Sequence, residues 1–263
     1  MPAILTLSLR ALAGRKRLLV LALLIAVPAV LAFIYSFSSS TDAGTVFAVR
    51  LFNDLFLPVI MPLTALVVAV SALGHEVEDQ TLIYLTLRPV ARSAIVLAKY
   101  LAAAILVVAF VEVSLALACE LAARKAASLP SGSPPELKML LPTYDTGNAL
   151  ASMLLAGFGG CIAYVGLFLL VGLLLPQRGL LVGFAYILGW EVLIAGRSTA
   201  LATFSIRYYV QGLLDTHLDN AELARLVPST LSASGSVVGL FVISIAAFSL
   251  TTAALRRVQS SET

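Results

Sequence analysis

Charge is scarce in this chain: only 12% of its 263 residues are Asp, Glu, Lys or Arg, while 60% are hydrophobic. So few polar groups cannot wrap an apolar core, and a mean hydropathy of +1.01 excludes a water-soluble globular domain. Cysteine and histidine are almost absent, at two residues each. Cys119 and Cys161 fall at different depths of separate apolar runs, which argues against a disulfide, and neither makes a metal-ligand spacing with His75 or His217. No Ser/His/Asp set or carboxylate pair gathers on one side of the apolar runs, so hydrolytic chemistry has no constellation to use. A Gly-rich phosphate loop closed by Lys and Ser or Thr is missing too. The nearest approach, Gly14 to Lys16, lacks both the upstream glycine and the hydroxyl residue.

What the chain has is long apolar runs. Crossing about 30 Å of hydrocarbon as a helix takes about 18 or more such residues. Six segments approach that length: Leu18 to Tyr35, Leu55 to Leu73, Ala94 to Ala118, Ala149 to Leu175, Gly179 to Ala195 and Val237 to Leu255. Helices satisfy every backbone polar group within the segment, and the runs lack the alternation of barrel strands. The expectation is an all-α integral membrane protein, one domain over residues 1–263 with six transmembrane helices. Ahead of the first run, Leu5, Leu9 and Leu12 recur with helical spacing, which suggests an N-terminal interfacial helix.

Lys and Arg counts set the expected orientation. The side that holds both termini collects Arg10, Arg15, Lys16, Arg17, Arg88, Arg92, Lys99, Arg178, Arg256 and Arg257, mostly beside the spans. The seven basic residues of the opposite side are spread over longer loops and matched there by acids. Both termini are therefore expected in the cytoplasm, within a prokaryotic inner (plasma) membrane. The pI near 9.0 follows from this topology and does not imply a nucleic-acid partner.

Between the second and third runs lies a charged island, GHEVEDQTLIYLTLRPVAR, from Gly74 to Arg92. Glu76, Glu78, Asp79, Arg88 and Arg92 are too many charges for lipid, so the island belongs in water at the membrane surface. A short helix from about Val77 to Leu87 would present Leu82, Tyr84 and Leu85 amid charge, a composition suited to a groove on a soluble partner. Pro89 marks a bend before the third span.

The acidic patch, then Thr81 and Leu82, then Leu87 to Arg92 running into Ile95, Leu97, Ala98, Lys99 and Tyr100, resembles the first intracellular loop of ABC-2 type permeases. Leu188 to Glu191 (LGWE) and Ser205 to Tyr209 (SIRYY) resemble the same region of the NosY-like branch. The chain departs from the family pattern at Gln80, where glycine is common. The resemblance implies the membrane subunit of an ATP-driven transporter, in which a cytoplasmic coupling helix between spans two and three contacts a separate ATPase subunit through Glu76, Glu78, Asp79, Leu82, Leu85 and Arg88. ATP and Mg would sit on that partner, and none on this chain. It also implies a second permease chain, identical or related, with the second and fifth spans lining the route, and an exporter more than an importer. The alternative is a self-sufficient secondary carrier or channel, for which internal repeats between the halves would be expected and are not found.

Two acids fall inside spans, Glu112 and Glu191, and intramembrane acids are functional candidates by default. Glu112 is close enough to the outer end of its span to reach the headgroups. Glu191 lies deeper, and Arg197 or Arg207 is its expected partner. Gly179 and Gly183 form a GxxxG pattern, a site for close helix packing. The segment from Arg197 to Ser236 carries short apolar stretches suited to helices lying on or dipping into the outer leaflet.

Overall fold

A computed structural model describes residues 14–38, 42–78, 92–125, 144–194, 199–218, 220–227 and 231–260, with Thr6, Ser8 and Leu12. Every regular element among the described residues is helical. In chain order these are α1 (Arg15–Ser36), α2 (Gly44–Leu51), a π-helical stretch (Phe52–Ile60), α3 (Met61–Glu78), α4 (Arg92–Ala123) and α5 (Thr146–Leu174). They continue with α6 (Gly179–Tyr186), a second π-helical stretch (Ile187–Ile194), α7 (Thr199–Ala202), α8 (Ile206–His217), α9 (Ala221–Ala224) and α10 (Ala233–Ser260).

Among the described residues, five helices are long and apolar enough to cross a membrane: Arg17–Ser36, Gly44–Ala72, Ser93–Ala123, Thr146–Leu174 and Ala233–Leu255. Two boundaries differ from expectation. The second span begins at Gly44, so residues 44–54, expected outside a span that starts at Leu55 and counted with Arg50 and Asp54 on the outer side, are helical. Arg50 turns back to Asp42 at 3.2 Å, and Asn53 and Asp54 find partners within the bundle, so the polar residues are accommodated without a loop. The expected fifth span is Gly179–Leu193, a shorter apolar helix, rising about 22 Å against the roughly 30 Å of a hydrocarbon core. Leu5 and Leu9 of the expected interfacial helix lie outside the described residues, and Leu12 is buried. The expected coupling helix falls largely in residues 79–91, also outside them.

α5 is the hub, packing against α3, α4, α8 and α10, while α1 lies outside against α4. Lipid tails are as apolar as leucine, so the bundle gains little from burying side chains as such and depends on close contact between helices. Glycine makes that contact possible where backbone meets backbone. A Cβ on Gly172 of α5 would lie 2.8 Å from the Val70 Cα and O of α3. At Gly44 it would overlap the Ala122 carbonyl of α4, beside the hydrogen bond from the Gly44 N–H to the Lys125 carbonyl at 2.8 Å. Pro28 interrupts the ladder of α1, and the Ser114 hydroxyl of α4 donates to the nearby Ile25 carbonyl at 3.1 Å. Both cysteines are free and buried as small fillers.

In the half of the bundle nearer the start of α5, here the cap end, α8 runs alongside α5, with Val210 against Gly160, Leu213 against Gly159 and the His217 carbonyl accepting from the Ser152 hydroxyl at 2.8 Å. Its fold there is local chemistry. The Ser205 hydroxyl accepts from the Arg207 N–H at 3.1 Å as an N-cap, and Ile206, Val210, Leu213 and Leu214 face inward at helical spacing.

Candidate functional site

The two π-helical stretches pack against each other, and α8 packs against the first. In a π turn each N–H reaches the carbonyl five residues back, as the Met61 N–H does to Phe56. Pro58 has no N–H, so the Asn53 carbonyl, five residues before it, loses its donor. The Arg207 guanidinium of α8 supplies one, donating from Nη2 to that carbonyl at 3.2 Å. Next to it the Gln211 amide donates to Asn53 Oδ1 at 2.6 Å, and Asn53 Nδ2 donates to Asp54 Oδ1 at 2.8 Å. The break in the second span is thus completed by side chains about 150 residues further along, a requirement imposed by the absence of water in the bundle.

Glu191, in the second π stretch, is fully buried. The Tyr186 hydroxyl donates to its Oε1 at 2.8 Å, and the Ser205 hydroxyl donates to its Oε2. Ser205 therefore caps α8 and binds the carboxylate at once, locking the start of the cap helix to the second π stretch. Tyr186 is braced edge-on by Phe168, with ring centroids 6.1 Å apart, and Phe168 stacks on Tyr164. The buried Tyr164 hydroxyl lies beside the same carboxylate. The observed partners of Glu191 are hydroxyls; of its two expected partners, Arg207 donates to Asn53 and Arg197 lies outside the described residues.

Glu112 does not reach headgroups. Its two carboxyl oxygens are buried without a hydrogen-bond partner among the described residues, and a Cβ on Gly157 would sit 3.0 Å from one of them. Gly179 and Gly183 both face α3. Added Cβ atoms there would meet Val70 Cγ1 at 2.9 Å and Leu66 Cδ1 at 2.1 Å, so α6 lies close on α3 at these positions. Glu76 and Glu78 fall on the last turn of α3, and Asp79, Leu82, Leu85 and Arg88 lie outside the described residues. No group of three or more His, Cys, Asp or Glu that could hold a metal occurs among the described residues. Outside the spans, the Tyr144 hydroxyl donates to Glu222 at 2.8 Å and ties the start of α5 to α9. Burial, and then the bond and charge of Glu222, push this phenol up to about 12.

Asn53, Tyr164, Tyr186 and Gln211 were not singled out by sequence reasoning, and Ser205 entered only as the start of the SIRYY stretch. Their signal was present in part: a proline inside an apolar run, and an Asn and a Gln where leucine would be at home.

A helical bundle with five helices long and apolar enough to cross a membrane among the described residues is that of a multi-pass membrane protein. A family model described as ABC-2 family transporter protein matches residues 15–157, and the chain belongs to that family. It is therefore a transporter membrane component whose family lacks the ATPase domain and generally works with an ATPase subunit. Comparison with curated proteins gives no match.

Proposed function

We propose that this chain is the permease half of an ATP-driven exporter of the NosY-like type, paired with an ATPase subunit that carries ATP and Mg, and with a second permease chain. In this reading both termini are cytoplasmic, the cap end faces outward, and α6 with its π stretch counts as the fifth of six spans. The carrying observation is the cap end itself. There the broken second and fifth helical segments meet, and α8 is fastened to both, through Arg207 and Gln211 to one and through Ser205 to the other. A bundle closed in this way holds the resting state of a route that ATP binding on a partner must open. The force enters at the other end, through Glu76, Glu78, Asp79, Leu82, Leu85 and Arg88, the charged surface available to a soluble subunit.

The test is ATPase activity of the chain co-purified with its ATP-binding subunit, native against Glu76→Ala and Arg88→Ala. The expected result is that the variants weaken assembly, or abolish the response of ATP turnover to the permease at equal assembly. An ATPase that never copurifies, with solute uptake by the chain alone in vesicles, would replace this reading with that of a self-sufficient carrier.

A further inference from the structure

A groove of about 510 Å³ runs along the side of the bundle between α4, α5 and α10, with Leu213 of α8 also lining it. It receives no residue from α3, α6 or the π stretches, so it is separate from the cap-end site. Its walls include Leu97, Tyr100, Phe158, Ile162, Phe241 and Phe248. Two polar side chains border it, and each has a partner within the protein. The Tyr100 hydroxyl donates to the Ile162 carbonyl at 2.9 Å, and the Ser244 hydroxyl donates to the Leu240 carbonyl at 2.8 Å. A buried water needs two to four polar partners, so the groove offers water no site.

We propose that this groove holds one acyl chain of a bilayer phospholipid. Position, content and shape all point there. Four helices contribute, three of them among those long enough to span, and Leu97, Phe158, Phe241 and Ile245 along its rim are exposed to the surrounding hydrocarbon. From Val237 to Phe248 the wall supplied by α10 rises about 16 Å, roughly one leaflet of hydrocarbon. At the roughly 30 Å³ that a water molecule, or a methylene of similar size, occupies, 510 Å³ holds about seventeen such groups, the content of one long chain. Spread over that length the cross-section is about 30 Å², far below the roughly 80 Å² of a helix 10 Å wide, so a second copy of this protein would cover the groove without filling it. α10 packs mainly against α5 and α8 and less against α4, and the chain fills the gap between them. The advantage over ordinary lipid comes from dispersion contact with fixed aromatic and aliphatic walls, since tails elsewhere are equally apolar.

Tryptophan quenching by phospholipids with brominated acyl chains reads this directly, using the full chain in vesicles with Trp190→Phe as background. Phe158→Trp reports the groove, and Leu181→Trp reports the exposed face of α6, where Leu181 is 74% exposed. The groove probe should reach half-quenching at a brominated-lipid fraction about threefold lower than the face probe, the modest preference that dispersion alone allows. Ser244→Phe, which fills the groove, should remove the difference, and Leu97→Phe is the second filling variant should the first fail to fold. Equal quenching of both probes in the unfilled protein overturns the proposal. So does a groove probe that resists quenching while the protein crosslinks as a dimer through α10, which would assign the groove to a second copy.

Discussion

Glu112 and Glu191 are both acids inside apolar helices, and their surroundings could hardly differ more. Glu191 sits where two helices depart from α winding, and Tyr186 and Ser205 have their hydroxyls turned onto it. Glu112 sits in the regular helix α4, opposite Gly157, with no partner among the described residues for either oxygen. The first is built into a structure that needs it, and removing it would strand the groups around it. The second bears its own desolvation cost alone, so the fold loses little without it. Sequence position identifies both as intramembrane acids; the partners around each decide what it does.

The largest expected effect is at Glu191. Glu191→Ala leaves two buried hydroxyls without their acceptor and should cost about 3 kcal/mol, read as a marked fall in thermal unfolding temperature in detergent, with Glu191→Gln recovering part of it. An alanine variant that melts like the native protein would erase the distinction.

Next comes the repair of the broken span. Arg207→Met strands the Asn53 carbonyl and should cost about 2 kcal/mol. Pro58→Ala restores an N–H five residues after Asn53, so the same Arg207→Met change made in that background should be milder by about 1 kcal/mol. Additive losses in this double-mutant cycle would mean that the arginine does not serve that carbonyl.

The smallest effect belongs to Glu112. Glu112→Leu, close in size and free of desolvation cost, should leave stability unchanged or raise it by about 1 kcal/mol. A substantial loss of stability would show that Glu112 has a partner and belongs with Glu191.

The regular part of the fold was legible. α1, α4, α5 and α10 follow from apolar length alone, because a helix in hydrocarbon needs nothing beyond its own residues. The part that failed is instructive. Arg50 and Asp54 were counted as loop charges ahead of the second span, yet the helix runs through them, and the groups that satisfy the neighbouring Asn53 are Arg207 and Gln211. Glu191 invited a search for the nearest arginine, and the answer was two hydroxyls, one of them doubling as a helix cap. Periodicity and charge counting see neighbours along the chain, so contacts between distant segments escape them. The charged island, the sequence's strongest functional signal, bears on a partner more than on the fold of this chain, and its central residues lie outside those described.

The dependence of Asn53 on Arg207 also bears on how the protein is made. The two residues are 154 positions apart. At a synthesis rate of about 5 to 20 residues per second, roughly 8 to 30 seconds pass between the appearance of that carbonyl and that of the guanidinium that completes it. Throughout that interval the nascent second span is a helix with a defect, and it matures only when the cap helix arrives from the ribosome. Insertion of the early half is therefore provisional, and a chain truncated before residue 207 should be a substrate for membrane quality control even though the helices that precede the truncation are all present.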